Sequence, residues 1–212
     1  MLDYDGLVCV LRAATAKVKA GAEELGRLDS AIGDGDHGVA MTRAMEALEK
    51  GIDDSSGRTA KGLLQGVAWA VASIDAGSTG PLMGSLLMGM VEPVSDDAEI
   101  DAGLLASMFQ AGLAKLRGIS KAEVGDKTMV DALVPAVEAL KSAADKGDSV
   151  AAALEKAAVA AQTGAERTRD LQARFGKARN LGERSIGYQD PGAASMAMLF
   201  RGLAEGAASL EA

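Results

Sequence analysis

Asp29, Asp34 and Asp36 lie within eight consecutive positions, with no lysine or arginine among them. Gly33 and Gly35 loosen the backbone around Asp34, and the chain's one histidine, His37, follows directly. Two carboxylates ~5 Å apart repel by ~3 kcal/mol at an effective dielectric of roughly 20. A hard cation with oxygen ligands, Mg²⁺ first, reverses that sign. The EF-hand spacing of acidic residues is absent, so the run is not that calcium loop. A solvated turn with an N-cap is the plain alternative. Three unpaired carboxylates beside glycines, however, cap poorly and cradle a cation well. If Asp29 ends one helix and Asp36 begins the next, all three converge at one end of a helical bundle.

Three more glycine-containing joints carry polar chemistry: Ala76-Gly77-Ser78-Thr79-Gly80-Pro81, Val124-Gly125-Asp126-Lys127-Thr128-Met129, and the stretch from Leu181 to Gly192. Bare backbone N–H groups and the hydroxyls of Ser78 and Thr79 at a helix start suit a phosphate, although the same residues make a common turn. Lys127 and Thr128 could simply form a first helical turn. Met129 is either core or a polarisable cover for a flat ring. Arg179 and Arg184 are surface ion-pairing groups or a clamp for a transferring phosphoryl group. His37 is either a satisfied polar residue at a helix start or a nucleotide contact. Gly33 to Gly38 matches G-x-G-x-x-G by letter, but it follows a helix and puts acid where a pyrophosphate would lie, so the dinucleotide reading fails. No Walker A motif occurs.

The elements that must position these joints are helices. Leu7, Leu11, Ala14, Val18, Ala22 and Leu25 step by three or four residues, as do Met41, Met45, Leu48 and Ile52. Val130, Leu133, Val137, Leu140 and Ala144 repeat the pattern, and no stretch alternates as a strand would. The spacing predicts eight helices near 4–27, 38–53, 58–75, 81–92, 99–117, 127–146, 149–173 and 191–209. Asp190-Pro191 reads as an N-cap followed by proline at the first helical position. Pro135 falls inside the sixth helix and should bend it. Long helices on short loops favour antiparallel neighbours, hence an all-α, up-and-down bundle or closed α-barrel. No composition break divides residues 1–212, so a single domain is expected.

Composition narrows the function. Of 212 residues 48% are apolar but only 3% aromatic, so the core must be built from Ala, Leu, Val and Met. A net charge of −8 argues against non-specific binding to nucleic acid or anionic membrane. An acidic protein that binds phosphates needs metal ions to do so. The single cysteine, Cys9, excludes an internal disulfide and fits a reducing compartment. The N-terminus lacks a basic signal-peptide region, and no run of about 18 apolar residues reads as a membrane span. A cytoplasmic location is expected.

Taken together, the four joints resemble the ADP-binding L subunit of dihydroxyacetone kinase (the DhaL family). The segments that carry the likeness are Asp-Ser-Ala-Ile-Gly-Asp-Gly-Asp-His-Gly at 29–38, Gly80-Pro81-Leu82 and Gly125-Asp126-Lys127-Thr128-Met129. Leu-Gly-Glu-Arg-Ser-Ile-Gly at 181–187 and Asp190-Pro191-Gly192-Ala193 complete it, in the family's order across nearly the whole chain. The resemblance implies an eight-helix α-barrel with the nucleotide at one end. It implies that Asp29, Asp34 and Asp36 hold two Mg²⁺ bridging the phosphates of ADP or ATP. His37, Gly38, Val39, Ala40, Ser78, Thr79, Met129, Asp190, Pro191 and Gly192 would contact the nucleotide. Lys177 and Ser120 fall at further nucleotide positions, but where the family usually has Arg and Gly, and Tyr188 replaces a usual His.

The implied chemistry is phosphoryl transfer to a short ketose, dihydroxyacetone or a related tetrulose. In that family the ketose is held covalently through a histidine on a separate K subunit. This chain's one histidine belongs to the nucleotide motif, so a K-subunit partner is implied. A phosphotransferase-system multiphosphoryl protein as donor, and a transcription activator as regulatory partner, are further family possibilities. Competing readings are an ADP-loaded regulatory subunit, the nucleotide domain of a fatty-acid-kinase-like system, and a structural bundle binding Ca²⁺.

Overall fold

The computed structural model describes residues 1–211, and all regular elements among them are helical. The helices are α1 (Tyr4–Ala20), α2 (Ala22–Ile32), α3 (His37–Asp53), α4 (Ala60–Ala72), α5 (Thr79–Val91), α6 (Ala102–Ile119), α7 (Val130–Asp145), α8 (Val150–Arg167) and α9 (Pro191–Ser209). Each predicted helix is present. The first is divided at Gly21, whose N–H still closes the end of α1 while the chain turns into α2. The predicted seventh stops at Arg167 and runs on as a short 3-10 turn over Thr168–Asp170. Side-chain caps fix several starts: Asp3, Thr59, Asp101, Ser149 and Asp190 each accept from a backbone N–H three residues on. Pro135 is accommodated inside α7, which runs on to Asp145.

Helices α1, α3, α4, α5, α6, α7, α8 and α9 each pack on the next, and α9 returns to α1, so eight helices close a barrel. Helix α2 stands outside that ring. It crosses one end, lying on α3, α9 and the 3-10 segment Lys177–Ser185. The lumen is filled. Phe109 of α6 and Phe200 of α9 are not neighbours around the ring, yet their rings meet at 4.9 Å between centroids. Leu63, Met108, Leu116, Leu133 and Leu154, all buried, belong to the same core. Small residues set the wall spacing. A Cβ on Gly202 of α9 would stand 2.6 Å from Cα of Ala14 on α1, so the close approach of those two helices requires glycine there. No described helix is long and apolar enough to cross a membrane.

Candidate functional site

In an up-and-down barrel alternate helices begin at the same end. Here α3, α5, α7 and α9 all start at one rim, where His37, Thr79, Val130 and Pro191 line a common cavity of about 390 Å³. A helix start has N–H groups without intrahelical partners and carries the positive end of a dipole. At α9 the side chain of Asp190 accepts from the N–H of Ala193 at 2.7 Å. Among the described residues, Asp36, Ser78 and Met129 make no such side-chain bond at the starts of α3, α5 and α7. Three helix starts thus turn the positive ends of their dipoles toward the cavity with no N-cap side chain over them, an arrangement that suits anions.

The acidic run forms one edge of this cavity. Asp29 is buried in the last turn of α2, Asp36 sits at the N-cap position of α3, and Asp34 lies on the turn between them. One oxygen from each carboxylate falls within 4.8 Å of the others. An Asp29 carboxylate oxygen accepts the N–H of His37 at 3.2 Å, tying the end of α2 to the start of α3. Gly38 makes that crossing possible, because a Cβ there would stand 2.1 Å from the Ala22 carbonyl oxygen. An all-oxygen set of three carboxylates is the donor chemistry of a hard divalent cation, so the residues present fit Mg²⁺.

Opposite the triad, the chain leaves the wall between Thr168 and Tyr188 as a strap. Its tip brings Lys177 to Asp34 and, at 3.4 Å, to Asp36. The Lys177 ammonium holds the Asp34 carboxyl below the usual carboxylate range, and Asp34 in turn raises Lys177. The base of the strap is closed by Gly187 N–H donating to the Arg169 carbonyl at 2.7 Å, and by Asp190 N–H donating to the Thr168 hydroxyl at 2.9 Å. Two further groups behave unlike their exposed counterparts. Burial lowers the His37 imidazole, whose Nε2 lies 3.1 Å from the Ser195 hydroxyl. Burial pushes the Asp190 carboxyl up to about 7, despite the hydrogen bond it accepts from Ala193.

The cavity gathers Asp29, Asp34, Asp36, His37, Ala40, Ser78, Thr79, Ser120, Met129, Lys177, Asp190, Pro191 and Gly192. Gly38 and Val39 do not line it: the first is spent on the α2–α3 crossing and the second points outward, exposed. Arg179 and Arg184 do not line it either. Both are exposed on the strap's 3-10 segment, where non-helical backbone at Gly182 breaks the turn between them. The cation turned to the triad is Lys177, not the arginines expected as a clamp. Sequence reasoning missed the apolar wall of Ile32, Leu82, Leu116, Ala122 and Phe175. On helix faces such residues look like ordinary core. Phe175 alone, one of three phenylalanines and beside Gly176-Lys177, carried a usable signal.

Residues 31–205 match the model of the DAK2 domain. The chain belongs to the DAK2 domain family. Over 187 residues it is 37% identical to the ADP-binding subunit DhaL of PEP-dependent dihydroxyacetone kinase 1 of Listeria innocua, covering 88% of each. It is 41% identical over 186 residues to the L-erythrulose 1-kinase of Mycolicibacterium smegmatis, covering 86% of this chain but 32% of that one. The fold matches the dihydroxyacetone kinase of C. freundii solved with AMP-PNP and Mg²⁺, with a TM-score of 0.70 and 27% identity over 94% of this chain. This DAK2 domain spans about a third of those two larger kinases and most of the Listeria subunit.

Proposed function

We propose that this DAK2 domain is the nucleotide-binding subunit of a ketose kinase. On this reading it binds ADP or ATP with two Mg²⁺ and delivers a phosphoryl group to a short ketose, dihydroxyacetone or a tetrulose, held on a separate K subunit. The observation that carries the reading is the meeting, in one cavity, of three carboxylates with the starts of three helices whose N-cap side chains leave them uncovered. Neither feature alone specifies a nucleotide; together they match the two ends of a metal–phosphate complex. The names of the Listeria subunit and the C. freundii complex support the same choice.

The residues divide the work by charge and shape. Asp29, Asp34 and Asp36 would hold the Mg²⁺, which when bound neutralises phosphate oxygens and lowers the cost of charge moving between them. The starts of α3, α5 and α7 bring the positive ends of their dipoles to the remaining oxygens. Leu116, Ala122, Met129 and Phe175 form an apolar wall suited to a flat base. Lys177, beside Asp34 and Asp36 at the strap's tip, would bring a positive charge to the phosphate chain. The hydroxyl that His37 meets, Ser195, is buried and donates to the Gly192 carbonyl at 2.9 Å, so it is not an activated nucleophile, and catalysis rests on positioning and charge, as phosphoryl transfer allows.

Asp34→Asn tests the triad. The variant should lose Mg²⁺-dependent ADP binding by about 100-fold or more in calorimetry, an ion-pair-scale loss at a charged site. Its far-ultraviolet circular dichroism should not change, because Asp34 is an exposed turn residue. Unaltered ADP affinity in a folded Asp34→Asn protein would sink the assignment.

A further inference from the structure

Lys127 is the odd residue of this end of the barrel. It is 1% exposed, yet among the described residues it has no carboxylate within ion-pairing distance. Its backbone adopts φ 62°, a left-handed conformation that a non-glycine residue takes only when held there. Asp131 does the holding: its two carboxylate oxygens accept Gly125 N–H at 2.6 Å and Thr128 N–H at 2.7 Å. The turn so formed drives the lysine stem inward. The ammonium then donates to the backbone carbonyls of Thr168, at 2.5 Å, and of Tyr188. Those carbonyls are the two ends of the strap whose tip carries Lys177. Asp126, from the same turn, grips the strap's near arm: its carbonyl accepts Arg174 N–H at 3.1 Å and its carboxylate faces the Arg174 guanidinium at 3.5 Å.

Burying an ammonium on two neutral carbonyls is costly, and an apolar side chain would fill the space more cheaply. What an apolar side chain lacks is donors that join two separated backbone strands. We infer that Lys127 is a positioning residue: it staples the two ends of the 168–188 strap to the start of α7 and thereby sets Lys177 against the triad. The inference rests on the nucleotide-kinase reading for its effect on ligand, but not for the staple itself. The same anchor fixes Asp190, whose N–H is bound to the Thr168 hydroxyl, and hence the start of α9.

The test uses the full chain with Lys127→Met, Lys177→Met and the double variant. Amide hydrogen exchange of residues 169–187 should speed up by about tenfold or more in Lys127→Met, the loss of charge-assisted hydrogen bonds, while α1 and α8 keep their protection. Mg²⁺·ADP affinity should fall about tenfold in each single variant, and the double should be no weaker than Lys177→Met, since one residue acts through the other. Unchanged strap exchange would overturn the staple. Faster exchange with unchanged affinity, or losses that add in the double variant, would overturn the positioning role. If Lys127→Met does not fold, ¹⁵N-lysine NMR of the unaltered chain decides: one ammonium in slow exchange with water is expected, and none would overturn the staple. If the unaltered chain does not bind Mg²⁺·ADP, the nucleotide reading fails, while exchange and NMR still judge the staple.

Discussion

Asp190 is a buried carboxylate used as a helix cap, and the two duties conflict. Capping α9 favours the ionised form, burial favours the neutral one, and burial prevails, raising the group from 3.8 to about 7. The folded chain therefore holds a proton between those values that the unfolded chain has released. Its contribution to stability is complete below the lower value and is lost as pH rises through the upper one. Asn caps as well as Asp and does not titrate. In Asp190→Asn, the urea midpoint should lose that decline between pH 4 and 7, a difference of at most ~1.4 kcal/mol per pH unit. His37 slopes the other way, because burial lowers it, so the comparison is variant against parent at each pH. A variant with the parent's slope would show that Asp190 stays ionised. Residues of this kind differ in how far sequence betrays them. The triad was legible because its members lie within one short run. Lys127 was not, because the carbonyls it ties belong to Thr168 and Tyr188, 41 and 61 positions away.

Helix starts and crossings carry the site, and they were legible to different degrees. Apolar spacing of three and four located every barrel helix within a few residues, because one stripe of each must face the lumen. The break at Gly21 was not visible, since Ala22 and Leu25 continue the stripe of α1 while serving a different element. That break matters, because α2 is the element that delivers Asp29. Its crossing with α3 is tight at Gly38, where a Cβ would strike the backbone of Ala22. Gly38→Ala should therefore push α2 away from α3 and cost about 1–3 kcal/mol in urea denaturation. Because Asp29 and Asp36 ride on the two separated helices, Mg²⁺ affinity should fall in the same variant. Gly118→Ala, where the added Cβ meets open space within α6, is the control: it should leave Mg²⁺ affinity unchanged and not lower the urea midpoint. Equal Mg²⁺ binding by Gly38→Ala and parent would detach the crossing from the site.

Across the whole molecule, a filled barrel supports an open end. The Phe109–Phe200 contact spans the lumen between helices that are not ring neighbours, so it braces the barrel across its interior. Phe200→Ala should cost about 3–5 kcal/mol, read as a lowered urea midpoint, with the triad chemistry intact wherever the protein stays folded. At the open end, the same closure decides what one chain can do. On the proposed reading the ketose is held by a histidine of a separate K subunit. His37 is the only histidine present, and it is committed: its ring lies against Ser195, half-buried, and its backbone N–H binds Asp29. Burial also keeps the imidazole neutral near pH 7. A group so occupied cannot also project into solvent to capture a ketose. The purified chain should therefore bind Mg²⁺·ADP yet leave dihydroxyacetone unphosphorylated with ATP and Mg²⁺. Adding a K subunit carrying the ketose should restore turnover. Steady phosphorylation by the chain alone would show that its own cavity holds the acceptor, and the two-subunit reading would fall while the nucleotide site stood.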